Sequence, residues 1–191
     1  EIFSLDEMIK IWDPARISKS PAIFDPLKLR AINAAYIRAL PAEEFRKLAD
    51  PFIDQAVHVQ IDRDLLCANL QPRCEVLEDI PPQLDFFDAV LPIDAEMYRN
   101  KKQKTTPESA REALSALLPV LEAQTDWSRD AIFEACKQKA EAMEKKNGWL
   151  LFPLGIALSG KARTPGGGTD LAAMMGKEET LRRLNAAIEA L

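Results

Sequence analysis

The feature that most constrains this chain is where its prolines fall. Pro26, Pro41, Pro51 and Pro107 each head a stretch whose apolar residues recur at helical rather than alternating intervals. Asp25-Pro26 and Thr106-Pro107 are cap-and-proline pairs: the capping oxygen takes up the first free amides, and proline supplies a helical φ where no amide partner is needed. With 13 Pro against 7 Gly in 191 residues, the spacing predicts an all-α protein cut into many short helices.

Read in order, Ser4 and Glu7 form a capping box for a helix reaching about Trp12, where Asp13 and Pro14 stop it. The Pro26 helix places Leu29, Ile32, Tyr36, Ile37 and Leu40 on one side, which makes Tyr36 a core residue and leaves Arg38 off the stripe. Pro41 opens a helix through Leu48 and Pro51 opens a further short one. Phe52, Ile53, Val57, Ile61, Leu65 and Leu66 read as core, with His58 a packed imidazole. Gln71-Pro72-Arg73 is a stop, and Asp79 to Val90 a helical segment interrupted by Pro81 and Pro82.

A boundary near Leu91 divides the chain into 1–91 and 92–191. Past it, Tyr98 to Lys104 is the densest basic run, read as a solvated linker. The Pro107 helix extends through Leu121, and a second from Asp126-Trp127-Ser128 reaches about Lys146, stopped by Asn147 and Gly148. Trp149 to Leu158 is nearly all apolar and reads as a buried short helix. Gly160 ends it, Gly176 breaks the chain again, and the closing helix from Lys177 buries Leu181, Leu184, Ile188 and Leu191 with Arg182 and Arg183 on its flank.

Bulk properties exclude several classes of function. His58 is the only histidine, so a histidine metal site is excluded and a Ser/His or Cys/His centre disfavoured. No metal-binding or catalytic residue is assigned. Cys67, Cys74 and Cys136 form no C-x-x-C pair and are odd in number, the pattern of reduced thiols in a cytoplasmic protein. No apolar run reaches membrane-spanning length and no signal peptide is visible. A net charge of −5 weighs against a nucleic-acid partner, although a few splayed bases need only a local positive face. A charged first residue without an initiator Met suggests a fragment.

Two near-motifs are rejected. Gly155 to Ala162 approaches the phosphate loop G-x-x-x-x-G-K-[ST], but Ala162 lacks the hydroxyl that ligands Mg²⁺, and Ile156 to Leu158 are apolar. Ile17-Ser18-Lys19-Ser20 looks like the ATP-contacting lysine loop of class I aminoacyl-tRNA synthetases, yet the partner His-Ile-Gly-His is absent.

Longer strings carry more. Near the C-terminus the chain has Ala157-Leu158-Ser159-Gly160, then Thr164-Pro165-Gly166, Gly176-Lys177-Glu178 and Leu181-Arg182-Arg183-Leu184. Near the N-terminus it has E-I-F-S-L-D-E-M-I, R-I-S-K-S-P-A-I-F-D-P-L-K-L and N-A-A-Y-I-R. In this order the strings resemble the C-terminal anticodon-binding region of bacterial glutamyl-tRNA synthetase, over essentially the whole chain.

The resemblance implies two packed helical subdomains, an anticodon-binding bundle or cage, with no catalytic centre and no cofactor of its own. The full enzyme would use ATP and Mg²⁺ to join glutamate to its tRNA, its N-terminal catalytic domain lying outside this sequence. The implied partner is the anticodon arm of tRNA(Glu), bound by a cytoplasmic monomer. Arg73 falls on the family arginine associated with reading the third anticodon letter. A guanidinium has donors only, which suit the O2 and N3 acceptors of cytosine and oppose the N1 and N2 donors of guanine. By residue chemistry alone, Arg73 is a surface arginine at a helix end. Arg38 is a second implied RNA contact, and Thr164, Pro165, Gly166 and Gly167 would approach the anticodon. The chain departs from the family at Gly155, where an arginine is common, and at Ala31, often tryptophan; Lys161 or Arg163 could replace the lost charge. Two alternatives stay open: acceptance of tRNA(Gln), and a helical module whose apolar grooves bind protein.

Overall fold

The computed structural model of the protein describes residues 2–17, 20 and 23–191. Among these residues it is all-helical, with one isolated antiparallel bridge, Asn100 to Thr105. In the first half lie α1 (Leu5–Ile11), α2 (Pro26–Ala39), α3 (Ala42–Ile53) and α4 (Arg63–Leu70), followed by short 3₁₀ turns at Gln71–Arg73, Leu77–Asp79 and Pro81–Gln83. The second half holds α5 (Pro107–Ala123), α6 (Arg129–Ala142), α7 (Asn147–Ser159), α8 (Gly168–Met175) and α9 (Lys177–Ala190).

The caps form as expected. Asp25 accepts the amides of Leu27 and Lys28 at 3.0 and 3.2 Å, Thr106 accepts from Ser109, and Ser4 and Glu7 complete their reciprocal box. α7 is the centre of the second half and packs against α5, α6, α8 and α9. It is apolar on every side, so no single face could satisfy it; Leu150, Leu154 and Leu158 are fully enclosed. Pro153 is buried within it. α3 and α4 pack together in the first half, and α4 also meets α8, so buried residues from Ile37 to Ala187 form one cluster.

Several expectations are corrected. α3 runs through Pro51 rather than restarting there: the proline falls in the last turn, where only one helical bond is lost, and fully buried Phe45, Ala49 and Ile53 hold that face down. Asp79 to Val90 forms 3₁₀ pieces and turns, because Pro81 and Pro82 offer no amides to an α-helical ladder. α6 ends at Ala142, with the Lys145 amide folding back on the Ala140 carbonyl at 2.9 Å and Glu144 at φ 53°. Asn147 therefore begins α7 instead of ending α6.

Three side chains also differ. Tyr36 is 43% exposed and its hydroxyl donates to the Phe3 carbonyl. His58 is exposed rather than packed; Asp88 binds its ring nitrogen Nδ1 at 2.5 Å and its backbone amide at 2.7 Å. Arg183, expected on the flank of the closing helix, is 2% exposed. Its guanidinium donates to the carbonyls of Phe86 and Leu158 at 2.7 Å and of Phe87 at 2.8 Å, and Nε reaches Glu179 at 2.6 Å. Ser18 and Lys19 of the rejected lysine loop lie outside the described residues.

Candidate nucleic-acid interface

Arg73 ends the 3₁₀ turn Gln71–Arg73, and its neighbours fix that turn from the α2 side. The Gln71 side-chain amide donates to the carbonyls of Ile37 and Leu40 at 3.0 and 2.8 Å, satisfying the free end of α2. Asn33 donates to the Glu75 carbonyl at 2.6 Å, while Arg30 pairs with Glu75 and Asp79. The Arg73 side chain stands exposed above this base, and its Nη1 lies 3.4 Å from the Thr164 carbonyl. Residues ninety-one apart in sequence thus meet at one surface.

The segment carrying Thr164 is built on the end of α7. Gly160 caps that helix at φ 64°, a conformation that favours glycine, and a β-carbon there would stand 2.9 Å from that of Leu91. Ser159 Oγ donates to the Gly155 carbonyl at 2.7 Å and accepts the Lys161 amide at 3.1 Å. Thr164 Oγ1 then donates to the Gly166 carbonyl at 2.6 Å, and the Gly167 amide donates to Asp170 at 2.7 Å. Gly168 starts α8 with its Cα packed on α7; a β-carbon there would lie 2.8 Å from the Leu151 carbonyl oxygen. Phe152, Gly155, Lys161, Thr164, Gly166 and Gly167 help to line a cleft of about 180 Å³.

The expected site residues separate into distinct positions. Arg73, Thr164, Pro165, Gly166 and Gly167 share this corner, with Pro165 and Gly166 buried and Gly167 exposed. Lys161 borders it, but its ammonium donates to the Pro82 carbonyl at 2.8 Å and pairs with Asp85. Arg163 is exposed and, among the described residues, has no hydrogen bond or ion pair. Arg38 is exposed near the end of α2, the end that Gln71 clamps to the Arg73 turn, and touches none of the others through a hydrogen bond. Exposed guanidiniums beside open backbone can donate to base edges or phosphates.

Asn33, Gln71 and Asp170 hold this corner together, a role not read from the sequence for any of the three. Asp170 had a signal, since a carboxylate at the third helical residue commonly takes the amide that precedes the helix. Asn33 opens a family string and Gln71 a helix-stop signal, but neither pattern shows the role, because their acceptors are carbonyls distant in sequence.

Other chemistry is poorly supplied. Among the described residues, no group of three or more His, Cys, Asp or Glu is placed to hold a metal ion. Burial pushes the Cys67 and Cys74 thiols up to about 11 and Cys136 to about 12, the opposite of a reactive thiolate. Gly155 to Ser159 is helical, so its amides are spent within α7 and cannot cradle a phosphate. No described helix is long and apolar enough to cross a membrane.

Comparison with known proteins gives a consistent picture. The glutamate–tRNA ligase of Clostridium botulinum strain Hall is 42% identical over all 191 residues, and that of Clostridium acetobutylicum is 42% identical over 192 aligned positions. The chain spans 39% and 40% of the length of these relatives, matching their C-terminal part. A crystal structure of a glutamate tRNA ligase from Elizabethkingia meningosepticum in complex with its amino acid superimposes at a TM-score of 0.84 with 28% identity. It covers 99% of this chain and 37% of that one. The Elizabethkingia anophelis glutamate-tRNA synthetase superimposes at 0.76 with 26% identity, covering 98% of this chain and 36% of that one. The family model for the anticodon binding domain matches residues 33–188, a span that contains both the Arg73 turn and the glycine-rich turn facing it, and the chain belongs to that family.

Proposed function

We propose that the chain binds the anticodon arm of tRNA(Glu) as the C-terminal region of a cytoplasmic, monomeric glutamate–tRNA ligase. The observation that carries this reading is the exposed Arg73 guanidinium set against the Thr164 carbonyl and the glycine turn, within a fold of the anticodon-binding family. Arg73 would donate to O2 and N3 of a cytosine in the third anticodon position, where guanine presents donors. Arg163 and Arg38 would supply further contacts or phosphate attraction, and the turn Thr164 to Gly167 would let the backbone approach an unstacked base. Residues 1–91 would contribute Arg38 and Arg73, and residues 92–191 the turn, so that recognition is assembled from two units.

Adenylation is not assigned to these residues. The ATP and Mg²⁺ used by the longer enzyme do not fit here, since the near phosphate loop is helical and the Lys161 ammonium is paired with Asp85. The remaining part of the ligase would supply that chemistry, joining glutamate to its tRNA. Large apolar side chains gather before the family match: Leu5, Trp12 and Leu27 are 68%, 67% and 77% exposed. Such a face suits packing on a further part of the enzyme.

Titrating the chain with anticodon stem-loops that end in C or G tests the proposal. Preference for the C-ending loop, weakening with salt, is expected. Equal binding of both loops would indicate acceptance of tRNA(Gln) as well. Absence of binding to either, with capture of a protein partner at the same surface, would replace this reading with a protein-interaction module.

A further inference from the structure

Asp170 touches the glycine turn twice. Its Oδ2 accepts the Gly167 amide at 2.7 Å, and a β-carbon on Gly166 would stand only 2.5 Å from that of Asp170. The other oxygen, Oδ1, accepts Nε of Arg129 at 3.1 Å, and the Asp170 side chain is 14% exposed. Arg129 projects from the first residue of α6, where Asp130 takes its Nη1 at 2.8 Å and the Phe133 ring lies 5.5 Å beneath. The hydrogen bonds to Asp130 and then to Asp170 raise the Arg129 pKa above its usual value.

We propose that Asp170, held in turn by Arg129, is a positioning residue for RNA recognition: it fixes the turn Thr164 to Gly167 in the form that meets Arg73. This rests on the anticodon-binding reading above. A carboxylate with one oxygen on a backbone amide and the other on a guanidinium cannot rotate without losing one of them. Glycines sample a wide backbone range when unrestrained, and a turn that spends only part of its time in the competent form binds more weakly by that fraction. Fixing the turn also fixes the Thr164 carbonyl, the acceptor that Arg73 faces at 3.4 Å.

The test uses the full chain, an anticodon stem-loop and four variants, well below the melting temperature. Asp170→Ala is expected to weaken binding ~tenfold by freeing the turn, and Asp170→Asn, which keeps an acceptor for the Gly167 amide, to recover most of that loss. Hydrogen exchange at Gly166 to Gly168 should accelerate in Asp170→Ala. Combined with Arg73→Gln, the loss should fall short of the product of the single losses, because both changes act through Thr164. A carboxylate serving stability alone would leave the binding of the folded fraction unchanged. Tight binding by Asp170→Ala, or losses that multiply with those of Arg73→Gln, would overturn the positioning role while leaving the RNA reading intact. Failure of the unaltered chain to bind any anticodon loop would overturn both.

Discussion

Arg183 is the one charged side chain that is buried among the described residues. One guanidinium serves three carbonyls, on Phe86, Phe87 and Leu158, and so ties the turns after α4 to α7 and α9. Arg183→Met would leave those acceptors buried without donors, and a loss of about 3–5 kcal/mol is expected, read as a lowered denaturant midpoint. A midpoint shift no larger than that of an exposed arginine would contradict this role. Its companion Glu179 is held down at about 2, first by the hydrogen bond from Arg182 and then by Arg183, from an ordinary value of 4.5. Because the folded pKa is depressed, this carboxylate adds stability that is complete above about 4.5 and is lost as pH falls toward 2. Melting from pH 7 to pH 2.5 should show Glu179→Gln converging on the unaltered chain at the acid end; a constant gap would contradict the linkage. Neither role was legible in the sequence. Arg182 and Arg183 lie together on the flank of an amphipathic pattern, and only the carbonyls arriving from distant turns turn one of them inward.

At the scale of elements, the local signals were sound at the side-chain caps and at Pro26 and Pro107, which open their helices. Ser4, Asp25 and Thr106 accept the expected amides. Failures came where tertiary packing overrode a local signal, as when buried Phe45, Ala49 and Ile53 carried α3 through Pro51. The junction of α7 and α8 gives a sharper case. Gly155 departs from the family arginine, yet a β-carbon there would meet only the Gly168 backbone at 3.7 and 3.8 Å, ordinary contact distances. Gly168 is the demanding position, since its β-carbon would press on the Leu151 carbonyl and the Gly155 amide at 2.8 and 2.9 Å. Gly168→Ala should therefore destabilise by about 1–3 kcal/mol through forced separation of the two helices. Gly155→Ala should be neutral to stabilising by up to about 1 kcal/mol, since its better helix propensity meets no steric cost. Comparable thermal shifts for the two variants would show that close packing does not govern this junction.

Across the whole molecule, the all-helical class was legible from spacing, and Arg73 and the Thr-Pro-Gly turn from their likeness to a known family. Their meeting was not legible, because no local pattern encodes a 3.4 Å approach between residues 73 and 164. A net charge of −5 is compatible with the proposed local site. Much of the basic charge is neutralised in pairs such as Arg46 with Asp50, Arg63 with Asp54 and Lys161 with Asp85. Among the exposed guanidiniums without an ion pair are Arg73, Arg163 and Arg38, the local donors that the proposed reading of a few bases requires.

The most direct measurement is the ratio of dissociation constants for stem-loops ending in C and in G, taken for the unaltered chain and for Arg73→Gln. Reading by Arg73 predicts a preference for C of about tenfold or more, the scale of one well-placed base contact, and its collapse in the variant. A preference for C that survives Arg73→Gln, or its absence from the unaltered chain, would contradict the assignment of Arg73 as the reader.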